Sequence, residues 1–82
     1  MDGEIDMKEL VSLIAKALVD NPEAVNVTEV LGKHSSVIKL RVSKNDFGKV
    51  IGKQGVTATA MRTILSAASA KSRKNTILEI VE

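Results

Sequence analysis

Around residues 52–55 the chain meets a narrow geometric problem. The apolar pair Val50-Ile51 leads into Gly52-Lys53-Gln54-Gly55, and a long helical pattern begins directly afterwards. Two helical segments must therefore meet across four residues. Glycine allows the turn, because without a Cβ it takes left-handed backbone angles and lets other groups approach closely. A helix that opens behind such a corner presents free N–H groups and a partial positive charge, and Lys53 adds a full charge at the tip. Together these make a cradle for phosphate. Two glycines three apart fit a plain helix–turn–helix corner as well; the apolar pair and the basic tip favour phosphate. A nucleotide P-loop is excluded. That motif needs four residues between its glycines and a hydroxyl after its lysine, whereas Gly48 and Gly52 enclose three residues and Gln54 stands in the hydroxyl position.

Charge along the chain points the same way. The net charge is only +2, but residues 1–29 carry seven acids against Lys8 and Lys16, and residues 33–74 carry ten bases against the single acid Asp46. A basic half centred on the glycine corner has the polarity of a surface for a polyanion. Ordinary solvated faces are the alternative.

Met7, Leu10, Val11, Ile14 and Leu18 fall on one face of an amphipathic helix. Asp6 stands where it can cap that helix, with Glu9 placed for a capping box. Asp20-Asn21-Pro22 ends it, since proline forces the preceding residue out of helical angles. Residues 1–6 read as a loose extension before a single domain over 7–82. Val25 to Leu31 reads as a strand, Gly32-Lys33-His34-Ser35 as a hairpin turn, and Ile38, Leu40 and Val42 alternate with Lys39 and Arg41 in a second strand. A short helix capped by Asn45 or Asp46 turns Phe47, Val50 and Ile51 inward. A longer one runs from about Lys53 to Ala70 on an inner stripe of Ala58, Met61, Leu65 and Ala68. Lys71 to Asn75 reads as a basic turn and Thr76 to Val81 as a buried last strand. The expected order is α-β-β-α-α-β.

Several function classes fall away. Without cysteine there is neither a disulfide nor a thiolate metal site, and no metal or cofactor is expected. His34 stands alone in a turn, the acids are scattered, and no nucleophile has a partnering base, so an enzyme is not expected. With Phe47 as its one aromatic, the chain lacks a stacking platform for bases. No apolar run approaches ~18 residues, and the acidic start Met1-Asp2-Gly3-Glu4 is unlike a secretory signal. A cytoplasmic protein without a membrane span is expected.

The β-α-GxxG-α-β order resembles the KH module, which binds RNA or single-stranded DNA. An α-β pair placed before that core marks the type II form. Over nearly the whole chain the sequence resembles the KhpA family of small stand-alone bacterial KH domains. The resembling stretches are Lys8-Glu9-Leu10, Ala17 to Val25 with its Asp20-Asn21-Pro22-Glu23-Ala24, Gly48 to Gly55, and Arg62-Thr63-Ile64-Leu65. The resemblance implies an α+β fold, with a three-stranded mixed sheet covered on one face by three helices. Its groove would hold about four nucleotides of single-stranded RNA. Gly52, Lys53, Gln54 and Gly55 would clamp the backbone, and Val50, Ile51 and Ala58 would touch bases. Residues 38–42 would form the far wall, with Lys49, Lys39, Arg41 and Arg62 reaching flanking phosphates. Two positions depart from the pattern: Val56 and Thr59 stand where such proteins are often basic.

The resemblance also implies a chaperone or post-transcriptional role in cell elongation and division, with self-association and pairing with a larger KH protein (KhpB, or Jag). On the second long helix Ala60, Ile64 and Ala67, with Arg62 nearby, are candidates for a homodimer contact, although alanine is also simply a good helix former. An adaptor that binds proteins, with RNA secondary, is the alternative function.

Overall fold

In the computed structural model, which describes residues 6–69 and 75–82, the elements follow the expected order. The extension over residues 1–5 and the basic turn at 71–74 lie outside the described residues, as does Ala70.

Helix α1 (Met7–Leu18) buries Val11 and Ala15. Asp6 caps it by accepting from the Lys8 N–H at 2.9 Å. This is the second helical amide, whereas a capping box uses the third, that of Glu9. Pro22 opens a 3-10 turn (Pro22–Ala24), and the Val25 N–H closes on the Pro22 carbonyl, so strand β1 (Asn26–Leu31) starts one residue later than the sequence suggests.

The Gly32 N–H donates to the Ser35 carbonyl at 2.7 Å and closes the hairpin to strand β2 (Ser35–Arg41). Its register pairs Asn26 with Arg41 and Leu31 with Ser36. A 3-10 turn (Lys44–Asp46) leads into helix α2 (Phe47–Ile51), the glycine corner and helix α3 (Val56–Ser69). Strand β3 (Asn75–Val81) then returns parallel to β2. Parallel pairing follows from that crossover, since only a long connection brings the chain back to the same end of the sheet.

β2 is the middle strand and β1 and β3 are the edges. All three helices pack against one face of the sheet. Ile38, Leu40 and Val42 of that face meet Val11 and Ala15 from α1, Val50 from α2, Met61 and Leu65 from α3, and Leu78 from β3. Each large side chain buried this way contributes about 1.5–3 kcal/mol. The last strand is not the buried element expected: of its apolar residues only Leu78 is fully buried, and Ile77 is 49% exposed.

Strand register assigns the opposite, open face as well. Thr28, Lys39 and Glu79 form one row across it and Asn26, Arg41 and Val81 the next.

Candidate nucleic-acid interface

The corner is built by backbone. Gly52 has φ 80° and ψ 168°, Gln54 has φ 56° and ψ 25°, and Gly55 has φ 77°. A Cβ on Gly52 would lie 2.7 Å from the Thr57 Cβ and 2.8 Å from the Thr57 N, so the first turn of α3 occupies its place. Around Gly55 the space is open, and only its positive φ calls for glycine. The Gly52 N–H donates to the Gly48 carbonyl at 2.9 Å and the Gly55 N–H to the Gly52 carbonyl at 3.1 Å. The amides of Lys53 and Gln54 stand where a helical turn opens and no carbonyl of that turn can accept from them. Both side chains are exposed at the tip. Helix α3 thus starts at Val56, behind a separate 3-10 turn (Lys53–Gly55), and not at Lys53.

A second construction lies at the other end of α2. Asp46, 1% exposed, occupies the N-cap position but makes no cap bond to its own helix. Its carboxylate accepts from the Asp20 N–H at 3.1 Å, the Asn21 N–H at 3.0 Å and the Ser43 hydroxyl at 3.0 Å. Lys49 stands 3.6 Å away and also pairs with the exposed Asp20 carboxylate. The Asp20 N–H, with the Asn21 and Ser43 bonds and the Lys49 charge, holds the Asp46 carboxyl below its ordinary value, against the opposing effect of burial. Lys49 in turn is raised, first by its bond to Asp20. Sequence reasoning missed this hub. Its signal was there: Asp46 is the lone acid in an otherwise basic stretch.

The structure divides the expected contacts. Val50 is fully buried and Ala58 is 2% exposed, so their side chains belong to the core and do not reach a base. Ile51 is half-buried and remains beside the corner. Residues 38–42 cannot form a wall, because β2 is paired on both sides and Ile38, Leu40 and Val42 are buried in the core. Lys39 and Arg41 lie on the open face, across the sheet from the helices; Arg41 donates to the Glu82 carbonyl at 2.8 Å. Lys49 is held by the two carboxylates. Arg62 reaches the outer strand, donating to the Leu78 carbonyl at 3.4 Å. Among the described residues the basic half of the sequence is therefore split between two faces of the fold.

Both departures noted above, Val56 and Thr59, are exposed, Val56 by 63%. Among the described residues no cluster fit to hold a metal occurs, and no helix is long and apolar enough to cross a membrane.

The α-β-β-α-α-β order with a mixed sheet and a glycine corner between α2 and α3 is that of a type II KH domain. The family model for the KhpA/KhpB KH domain matches residues 8–80. The chain belongs to the KhpA/KhpB KH-domain family. That family is one of KH-domain proteins and not of enzymes. Among its relatives is RNA-binding protein KhpA of Clostridium perfringens (strain 13 / Type A), 56% identical over 92% of this chain and 100% of the relative. The protein of the same name from Caldanaerobacter subterraneus subsp. tengcongensis is also 56% identical over the same shares. That of Aquifex aeolicus (strain VF5) is 53% identical over 93% of this chain and 96% of its own length. No solved structure matches the chain. Within this KH domain the corner is the GxxG loop, and the Asp20-Asn21-Pro22 stretch is the segment that Asp46 grips.

Proposed function

We propose that this KH domain binds single-stranded RNA, with the backbone clamped at Gly52-Lys53-Gln54-Gly55. The observation that carries the reading is the conformation of the loop. Positive φ at three of its four residues turns the chain so that the exposed Lys53 and Gln54 stand outward. The names of the relatives support RNA as the ligand. The groove lies between the α2–loop–α3 corner and the outer edge of β3, which α3 flanks. Ile51 offers apolar contact there, Arg62 sits at the β3 side, and about four nucleotides fit. With two or three phosphates engaged the salt slope is about −1.5 to −2.

Changing Lys53 and Gln54 together to Asp, with both glycines kept, places two negative charges at the phosphate position. Binding of single-stranded RNA then falls at least ~10-fold, equivalent to about 1.4 kcal/mol, while the fold stays intact. Unchanged binding would sink the clamp. A hairpin duplex that competes as well as an unstructured oligomer would show that charge alone is read.

A homodimer is the second reading, favoured by one stripe on α3. Val56, Ala60, Ile64 and Ala67 are all exposed, Ile64 by 45% and Val56 by 63%, and they recur at helical spacing on the side away from the core. Arg62 is not part of this stripe: two positions from Ile64, it lies roughly 200° around the helix and faces β3. Pairing two copies along the stripe would cover on the order of a few hundred Å² each, enough for a weak dimer, and would join two RNA sites for avidity. Sedimentation as a monomer at high micromolar concentration would rule it out. From the family resemblance we infer the wider role as well: a cytoplasmic RNA chaperone or regulator acting with a larger KH protein in cell elongation and division.

A further inference from the structure

We propose that Asp46 is a positioning residue for the GxxG loop, gripping the chain that leaves α1 and so setting the tilt of α2. The consequence for RNA rests on the function proposed above; the consequence for the loop does not.

Helix α2 has five residues. A helix that short does not hold itself in water, and its direction must come from its surroundings. Val50, fully buried, supplies a pivot. Hydrophobic burial is non-directional, so a pivot fixes where the helix sits better than how it tilts. Hydrogen bonds are directional, and Asp46, directly before α2, is where they converge.

Both carboxylate oxygens are engaged. Oδ1 takes the Asp20 N–H and Oδ2 takes the Asn21 N–H and the Ser43 hydroxyl. The two amides need such an acceptor, because they lie past the end of α1 and Pro22 prevents any continuation of the helix. The bonds span 25 and 26 residues of sequence and tie two elements that share no strand. Lys49, one turn along α2, closes the arrangement by bridging Asp46 and Asp20.

The lever is short. From the Val50 pivot to Gly52 the helical rise is roughly 3 Å, so a tilt of about 10° displaces Gly52 by about 0.5 Å and the loop tip beyond it by more. Binding constellations tolerate about 0.5 Å.

The test begins without RNA. Asp46→Asn replaces one acceptor oxygen with an NH2 group that faces a donor, so at least one of the three bonds is lost. Circular dichroism first fixes a temperature at which the variant is fully folded. The amide resonances of Gly52 and Gly55 are then expected to move, although neither residue touches Asp46. Ser43→Ala, which removes one donor and leaves the carboxylate, should move the same resonances less and in the same direction. Binding of a short mixed-sequence single-stranded RNA should weaken on the order of 3–10-fold with an unchanged salt slope, because no phosphate contact is removed. If the folded Asp46→Asn protein keeps its Gly52 and Gly55 resonances, the hub only adds stability and the proposal is overturned. If instead the resonances move but the unmutated protein does not bind RNA, the function fails and the positioning role stands.

Discussion

The two ends of α2 are opposites. Its N-terminal end is dry and bonded, with Asp46 buried and both carboxylate oxygens occupied by groups from three other positions. Its C-terminal end is open, with exposed side chains at Lys53 and Gln54 on a backbone that bends through left-handed angles. The first end uses a charge to fix geometry and leaves none of it free; the second leaves its charge free and fixes geometry through the left-handed backbone of Gly52, Gln54 and Gly55. In a domain with one small core, separating the two ends along one helical turn lets the loop end stay exposed without loosening the fold.

Gly52→Ala should break the comparison most strongly. Its φ and ψ lie where residues other than glycine rarely go, a strain of about 1–3 kcal/mol, and the new Cβ would press on Thr57. Thermal melting should show a loss of at least about 2 kcal/mol, and single-stranded RNA binding should fall with it. Gly55→Ala, which meets open space, should lose only about 1 kcal/mol. Equal losses in the two variants would mean that close packing at Gly52 plays no part.

Acid separates the ends more gently. The Asp46 carboxyl titrates below its ordinary value of 3.8 in the folded chain, so the folded form binds that proton less readily than the unfolded one. The resulting stability is present above pH 3.8 and is lost as pH falls through the folded value. Melting temperatures of the unmutated protein and Asp46→Asn, measured from pH 6 downward, should therefore converge in acid. A constant gap would show that the carboxylate's charge contributes nothing.

The smallest effect is expected far from both ends. Lys39→Ala, on the open face of the sheet, should change RNA affinity by less than about 2-fold, although Lys39 belongs to the same basic half of the sequence as Lys53. A loss comparable to that of a Lys53 variant would mean that RNA wraps onto the open face.

How much was legible follows from how local each feature is. The α1 stripe, the hairpin at Gly32–Ser35 and the alternation in β2 depend on neighbours within a few residues, and the structure has them within a residue or so of their expected ends. Each is dictated by local geometry: the helical period, the alternation of strand side chains, and the turn residues between them. The glycine corner was legible for the same reason, since glycine stands at two of the three positions where φ is positive. Orientation in space was not local. That β3 is an edge, that Lys39 and Arg41 face away from the loop, and that Val50 and Ala58 are sealed into the core all depend on which strand is central and which face the helices cover. Asp46 is the clearest case. Its residue type suggested a helix cap, yet its partners lie 25 and 26 positions away, and only the docking of α1 beside α2 brings those amides to it. The sequence by itself determined the elements and the glycine corner, because short-range sterics and periodicity act along the chain. Tertiary structure decided which charges lie beside that corner and which lie across the sheet from it, because burial and pairing depend on what the folded chain brings alongside.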